Sequence, residues 1–164
     1  MLRKFKGAFL IGLLGCGIVG AADVADLTHN PYHILNWAEA QREVWQVIET
    51  WNRAFAENDA EAYFHYISDD ITVLTPSNPY RVEGKPDDRE EFEYGIRTAY
   101  NKVGIFQEMT PLVRVYGDTA FATYFSRGYY GEVSTGGAMV YLKETDVLRR
   151  IDGQWKIVHV HVSK

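Results

Sequence analysis

The sequence predicts an α+β domain, with helices early in the chain packed on one face of a curved, mostly antiparallel sheet built from its later part. Three observations carry this prediction. Val44, Ile48, Trp51 and Phe55 recur at helical spacing and form one apolar stripe. From Leu112 onward the chain is rich in β-branched and aromatic residues, broken by turn signals at Gly117-Asp118, Gly136-Gly137 and Asp152-Gly153. Asp152-Gly153 is also a strong two-residue hairpin signal, because both residues tolerate the positive φ of a type I′ turn.

The elements follow in order. Asn30-Pro31 blocks early helix, so residues 23–36 read as a tether and the first helix is expected from Trp37. Asn58 with Glu61 three residues on resembles a capping box and is expected to start a second, short helix carrying Tyr63, Phe64, Tyr66 and Ile67. Ile71 to Leu74 is a short strand, stopped by a loop that holds Pro76 and Pro79, and Tyr80-Arg81-Val82 is a second. Pro86 suits the first turn of a third helix, where Asp87, Asp88, Glu90 and Glu91 favour the positive end of the dipole; Phe92, Ile96 and Ala99 give its apolar face. Pro111 predicts a bulge or an edge just before the strand Leu112–Tyr116. Thr119 to Tyr130, Ala138 to Arg150 and Gln154 to Val162 are the long closing strands.

Counting outward from Asp152-Gly153 pairs Arg150 with Trp155, Leu148 with Ile157, Asp146 with His159 and Glu144 with His161, all on one face. Asp146 beside His159 would raise the imidazole pKa and fix its tautomer, making a candidate general acid–base dyad. Asp146 as the base itself, or the pair as a polar lock on hairpin register, are the other readings of the same residues. Glu144 and His161, nearer the C-terminus, suit a ligand contact, a solvated pair or an oligomer contact. Tyr124 and Ser126 lie two apart on one strand and share a face, so Tyr124 could donate to a substrate oxygen or simply pack. His159-x-His161 is too little for a metal motif, and no metal or cofactor is expected. No nucleophile elbow, phosphate loop or dinucleotide fingerprint occurs.

Length and charge narrow the class. The chain has 164 residues, room for one domain with a real core. Arg3, Lys4 and Lys6 precede an apolar run from Ala8 to Val19, and small residues follow at Gly20–Ala22: the pattern of an export signal over residues 1–22. The run is shorter than the roughly 20 residues of a spanning helix. Cys16, the sole cysteine, follows Leu13-Leu14-Gly15 and resembles a lipobox, so a lipid anchor stands beside soluble export to periplasm or medium. No intramolecular disulfide is available. Removing residues 1–22 moves the net charge from −5 to −8, which excludes nucleic acid as a partner and leaves the membrane only through Cys16.

Trp51-Asn52 with Asn58-Asp59, Val82-Glu83-Gly84, Gly117-Asp118-Thr119-Ala120 and above all Arg150-Ile151-Asp152-Gly153-Gln154-Trp155 through Val158-His159-Val160-His161 resemble the nuclear transport factor 2-like, or SnoaL-like, superfamily. The likeness spans about residues 37–162 and is closest to the association domain of calcium/calmodulin-dependent protein kinase II and its bacterial stand-alone relatives. It implies a cystatin-like cone over residues 37–164, three helices on the sheet, with a pocket between the helices and its concave face. It also implies dimers or higher homo-oligomers formed through the sheet. Tyr63, Tyr66 and His65 would then lie on the pocket's roof. The kinase-associated relatives carry pocket arginines where this chain has Ser126 and Asp146. A hydroxyl and a carboxylate there favour basic or hydroxyl-bearing ligands over a carboxylate. The leading expectation is an exported small-molecule-binding protein, with Tyr63, Tyr124, Ser126, Glu144 and His161 contacting the ligand. The alternatives are a cofactor-free isomerase or dehydratase using Asp146 and His159, and a non-catalytic homo-oligomerisation module.

Overall fold

The computed structural model describes residues 34–97, 103–132 and 136–164. The export signal, Cys16 and most of the tether fall outside them. A 3-10 turn at Ile34–Asn36 leads to α1 (Glu39–Glu57), α2 (Ala60–Tyr66), β1 (Ile67–Leu74), β2 (Val82–Glu83) and α3 (Lys85–Arg97). Four long strands follow: β3 (Val103–Tyr116), β4 (Thr119–Glu132), β5 (Gly136–Ile151) and β6 (Gln154–Ser163). They join one open sheet in the order β2-β1-β6-β5-β4-β3, antiparallel except where β1 runs parallel to β6. The architecture is the expected α+β cone, with the helices covering the concave face.

The apolar stripe of α1 does what its spacing predicts: Val44, Ile48 and Trp51 are buried against the sheet and Phe55 packs at the core's margin. The helix begins two residues later than Trp37. Trp37 is instead a buried plug whose ring meets Trp45 edge-on at 6.2 Å, and the Gln41 side chain accepts the Ala38 backbone N–H at 3.0 Å to close the first turn. Asn58 does not start α2. It takes the left-handed conformation (φ 57°) that ends α1, a role asparagine tolerates, and Asp59 caps α2 by accepting the Ala62 N–H at 3.0 Å. Ile67, expected in the helix, is extended and fully buried, so β1 opens four residues before Ile71. The polar Ser68-Asp69-Asp70 hid that start.

The predicted irregularity at Pro111 is present. Thr110 has φ 49°, and pairing jumps from Met109–Phe125 to Leu112–Thr123. Asp152 and Gly153 both have positive φ (50° and 78°), so the closing hairpin turns as the dipeptide predicts. Its first pairs, Arg150–Trp155 and Leu148–Ile157, also match.

Beyond them the count fails. Pairing steps from Leu148–Ile157 to Val147–His159, leaving Val158 as an extra residue in β6. Side chains alternate with period two, so one inserted residue sends every later residue to the other face. Asp146 pairs with Val160 and Glu144 with Val162, while His159 and His161 stand opposite Val147 and Thr145 on the convex face. The expected Asp146–His159 and Glu144–His161 pairs are therefore absent.

Ile48, fully buried where α1 meets the sheet, tests this packing. Ile48→Ala should lower unfolding free energy by about 2–5 kcal/mol in denaturant titration, with no change in the ordering of the strands.

Candidate functional site

The concave face carries a polar island inside an apolar wall. Toward the hairpin turn, Ala120, Leu148, Ile157 and Trp155 are buried. Toward the other end, Gly128, Val140 and Leu142 follow, with Phe106 beside them on β3. Between them β4 supplies Tyr124 and Ser126, and β5 supplies Glu144 and Asp146 on adjacent rows. Glu108 arrives from β3 opposite Ser126, and Asn52 descends from α1.

These six side chains form one hydrogen-bond network. The Tyr124 hydroxyl lies 2.9 Å from both Glu144 Oε2 and Asp146 Oδ2. The Asn52 amide donates to Tyr124 at 3.1 Å and to Glu108 at 3.0 Å, and Ser126 donates to Glu144 Oε1. A tyrosine hydroxyl has one proton to give. It can therefore donate to only one of the two carboxyls, and the other must carry a proton and donate back. Glu144 accepts from both Ser126 and Tyr124, whereas Asp146 Oδ1 has no partner and Asp146 is completely buried. The charge consequently rests on Glu144 and the proton on Asp146. Burial, then Glu144, pushes the Asp146 pKa well up; burial also raises that of Glu144, with Ser126 and Tyr124 opposing the rise and Glu108 adding to it.

Of the residues singled out by sequence, the structure brings Tyr124, Ser126, Glu144 and Asp146 together. Tyr63 is buried close by, its ring 5.2 Å from Trp51, and its hydroxyl pKa is raised, mainly by burial, with the nearby carboxyl groups adding to the rise. His159 and His161 are not part of the site. His159 Nδ1 meets Thr72 Oγ1 at 2.7 Å on the far side of the sheet. Its pKa is lowered, by burial and then by His161 and Arg81, the reverse of what a carboxylate partner would do. His65 and Tyr66 line a separate open groove of about 330 Å³ between α1 and the closing turn, with Glu43, Arg150, Trp155 and Lys156. The helix side of the polar island is filled by rings, with Trp45 edge-on to Tyr124 at 5.3 Å. Among the described residues, no group of three His, Cys, Asp or Glu side chains is placed to hold a metal ion.

Sequence reasoning passed over Asn52 and Glu108 as site residues. Asn52 did carry a signal: it lies four residues after Ile48 and three before Phe55, a polar residue on an apolar stripe. Asp88, expected as one of the acids favouring the positive end of the α3 dipole, is buried, with Oδ2 unpartnered. Burial outweighs the helix dipole there and, with Glu91, pushes its pKa up to about 7.

A model of the SnoaL-like domain matches residues 44–164. The chain belongs to the SnoaL-like family. No curated protein matches the sequence. Among solved structures, an NTF2-like protein of unknown function from Pseudomonas putida is 25% identical with a TM-score of 0.67, over 76% of this chain and 85% of that one. A ketosteroid isomerase-like protein from Erwinia carotovora is 21% identical (TM-score 0.66), covering 78% of this chain and 98% of the other. The calcium/calmodulin-dependent protein kinase II hub of S. rosetta is 23% identical (TM-score 0.66), covering 77% and 98%. The last two share the SnoaL-like chain's fold and, at these identities, no more than that.

The raised carboxyls make stability depend on pH. An unfolded aspartate releases its proton near pH 4, whereas the folded chain holds the Asp146 and Asp88 protons to higher pH. Their stabilisation is complete below about pH 4 and declines as pH rises through that window. Asp146→Asn keeps a donor to Tyr124 and cannot ionise, so relative to the parent it should gain stability as pH is raised from 4. Asp88→Asn should gain likewise and level off near pH 7. Thermal melts of the three proteins across pH 4–8 check both.

Proposed function

We propose that this SnoaL-like protein binds a small molecule on the concave face of its cone, against Tyr124, Ser126, Glu144, Asp146, Asn52 and Glu108. The observation that supports it most is the buried carboxyl pair. A half-charged pair inside an aromatic core costs stability that apolar side chains of similar volume would not, and perturbed carboxyls of this kind concentrate at functional sites. The isomerase or dehydratase alternative loses its dyad, because His159 lies on the opposite face of the sheet. Arg3, Lys4 and Lys6 ahead of the apolar run support export of the domain.

The convex face supports a second role, self-association. Phe125, Tyr129, Met139 and Tyr141 are 50%, 40%, 43% and 61% exposed on the neighbouring strands β4 and β5. Grouped apolar side chains of this kind mark interaction surfaces. The hub-domain likeness points the same way, and a homodimer through this face leaves the concave face free for ligand.

Thermal shift against a chemically mixed library tests the first role. A ligand at about 100 times its Kd adds about 2.7 kcal/mol of stability, roughly 5–10 °C in a domain of this size. The shifts should vanish in Glu144→Gln. No ligand-dependent shift from any compound class would refute binding. For the second role, light scattering of the parent chain should give the mass of a dimer or larger assembly, and Phe125→Glu with Tyr141→Glu should give a monomer that still melts cooperatively.

A further inference from the structure

The hydrogen-bond arithmetic of the concave face carries its own information about the ligand. Every donor that touches the carboxyls is already used: both Asn52 amide hydrogens go to Glu108 and Tyr124, the Tyr124 proton to Glu144, and the Ser126 proton to Glu144. One buried donor off this network, the Trp51 indole N–H, has no hydrogen-bond partner. Acceptors are left over. Asp146 Oδ1, completely buried, has no partner, and Glu108 and Glu144 keep further lone pairs. Among the described residues, no lysine, arginine or histidine forms an ion pair with Glu108, Glu144 or Asp146. The charge on Glu144 is thus held by two neutral hydroxyls in the interior.

The three carboxyls are also graded by depth. Glu108 is half-buried, Glu144 is 6% exposed and Asp146 is completely buried. Half-buried Phe106, Tyr130 and Leu142 stand on the same face at the shallow end, and Tyr130 is near enough for the Glu144 charge to help raise its pKa. Apolar side chains thus stand at the shallow end of a row of carboxyls that ends at Asp146.

We propose that the ligand is a small organic monocation, an ammonium or amidinium on an apolar body, whose N–H groups are received by Glu108, Glu144 and Asp146 Oδ1 while the body lies against Phe106, Tyr130 and Leu142. This rests on the concave face being a ligand site. A cation of this kind brings donors to carboxyls whose free positions are all acceptors, and it supplies the missing positive charge. A carboxylate ligand brings a like charge to three carboxyls and no donor for them, so it is disfavoured. A neutral alcohol brings one donor and no charge.

Benzamidine, benzyl alcohol and benzoate share a ring and differ in this respect alone, so their binding to the full chain can be compared by calorimetry and by ring-resonance NMR. Benzamidine should bind at least 10-fold more tightly than benzyl alcohol, and benzoate should not bind. Glu144→Gln should weaken benzamidine at least 10-fold. Glu108→Gln, at the half-buried end, should weaken benzamidine severalfold and by more than it weakens benzyl alcohol. Equal or tighter binding of benzoate or benzyl alcohol, lost in Glu144→Gln, would overturn the cation and leave the ligand site standing. Benzamidine binding that neither variant weakens would also overturn it, by placing the cation elsewhere. If none of the three probes binds and the mixed library is silent as well, both proposals fail.

Discussion

The unbroken ladder between β4 and β5 is the constraint on which the rest of the molecule depends. Fourteen consecutive pairs run from Thr119–Arg149 to Glu132–Gly136 without a slip. Strands on either side are irregular: β3 bulges at Thr110-Pro111 and β6 at Val158. Irregular flanks let the sheet bend around the helices, while the regular centre keeps its side chains in rows. Because the rows are regular, Tyr124 faces Glu144 across one pair and Ala122 faces Asp146 across the next. Tyr124 can then span both carboxyls with one oxygen. A slip of a single residue in this ladder would put the polar pair of one strand on the face opposite that of the other.

Stability and function pull against each other at that oxygen. The core around it is dense with rings, Trp45, Trp51, Tyr63 and Phe92 among them, and such packing is the main source of stability in a domain without a disulfide. The polar island interrupts it. The network limits the cost by satisfying nearly every group: one proton is retained on Asp146, one charge is kept on Glu144, and Asn52 ties the island to α1. What is left unsatisfied is an acceptor with no neighbouring cation, and this residual imbalance gives the site its chemical preference.

Much of the cone was legible in the sequence because its signals are local. The α1 stripe, the acidic first turn of α3, the irregularity at Pro111 and the Asp152-Gly153 turn each depend on a few neighbouring residues, and each appears in the structure. Part of the site was legible too. Tyr124 with Ser126 and Glu144 with Asp146 are pairs two residues apart on strands, so a common face follows from period-two alternation alone. Asn52 and Glu108 were not, since their roles depend on which helix and strand lie over Tyr124. The histidines were misplaced for a specific reason: Val158 looks like any other strand residue, and nothing in its neighbourhood marks it as the extra one.

By itself, the sequence determined the order of helices and strands, the closing turn, the acidic balance and the pairing of polar residues along β4 and β5, because backbone preferences and side-chain periodicity act over a few residues. Tertiary structure alone decided which face each histidine takes, which carboxyl keeps the proton and that no cation joins Glu144 and Asp146 among the described residues. Those outcomes depend on the parallel docking of β1 on β6, on the bulge that accompanies it, and on burial beneath α1. Burial and register are properties of the assembled sheet, and no short stretch of the chain encodes them.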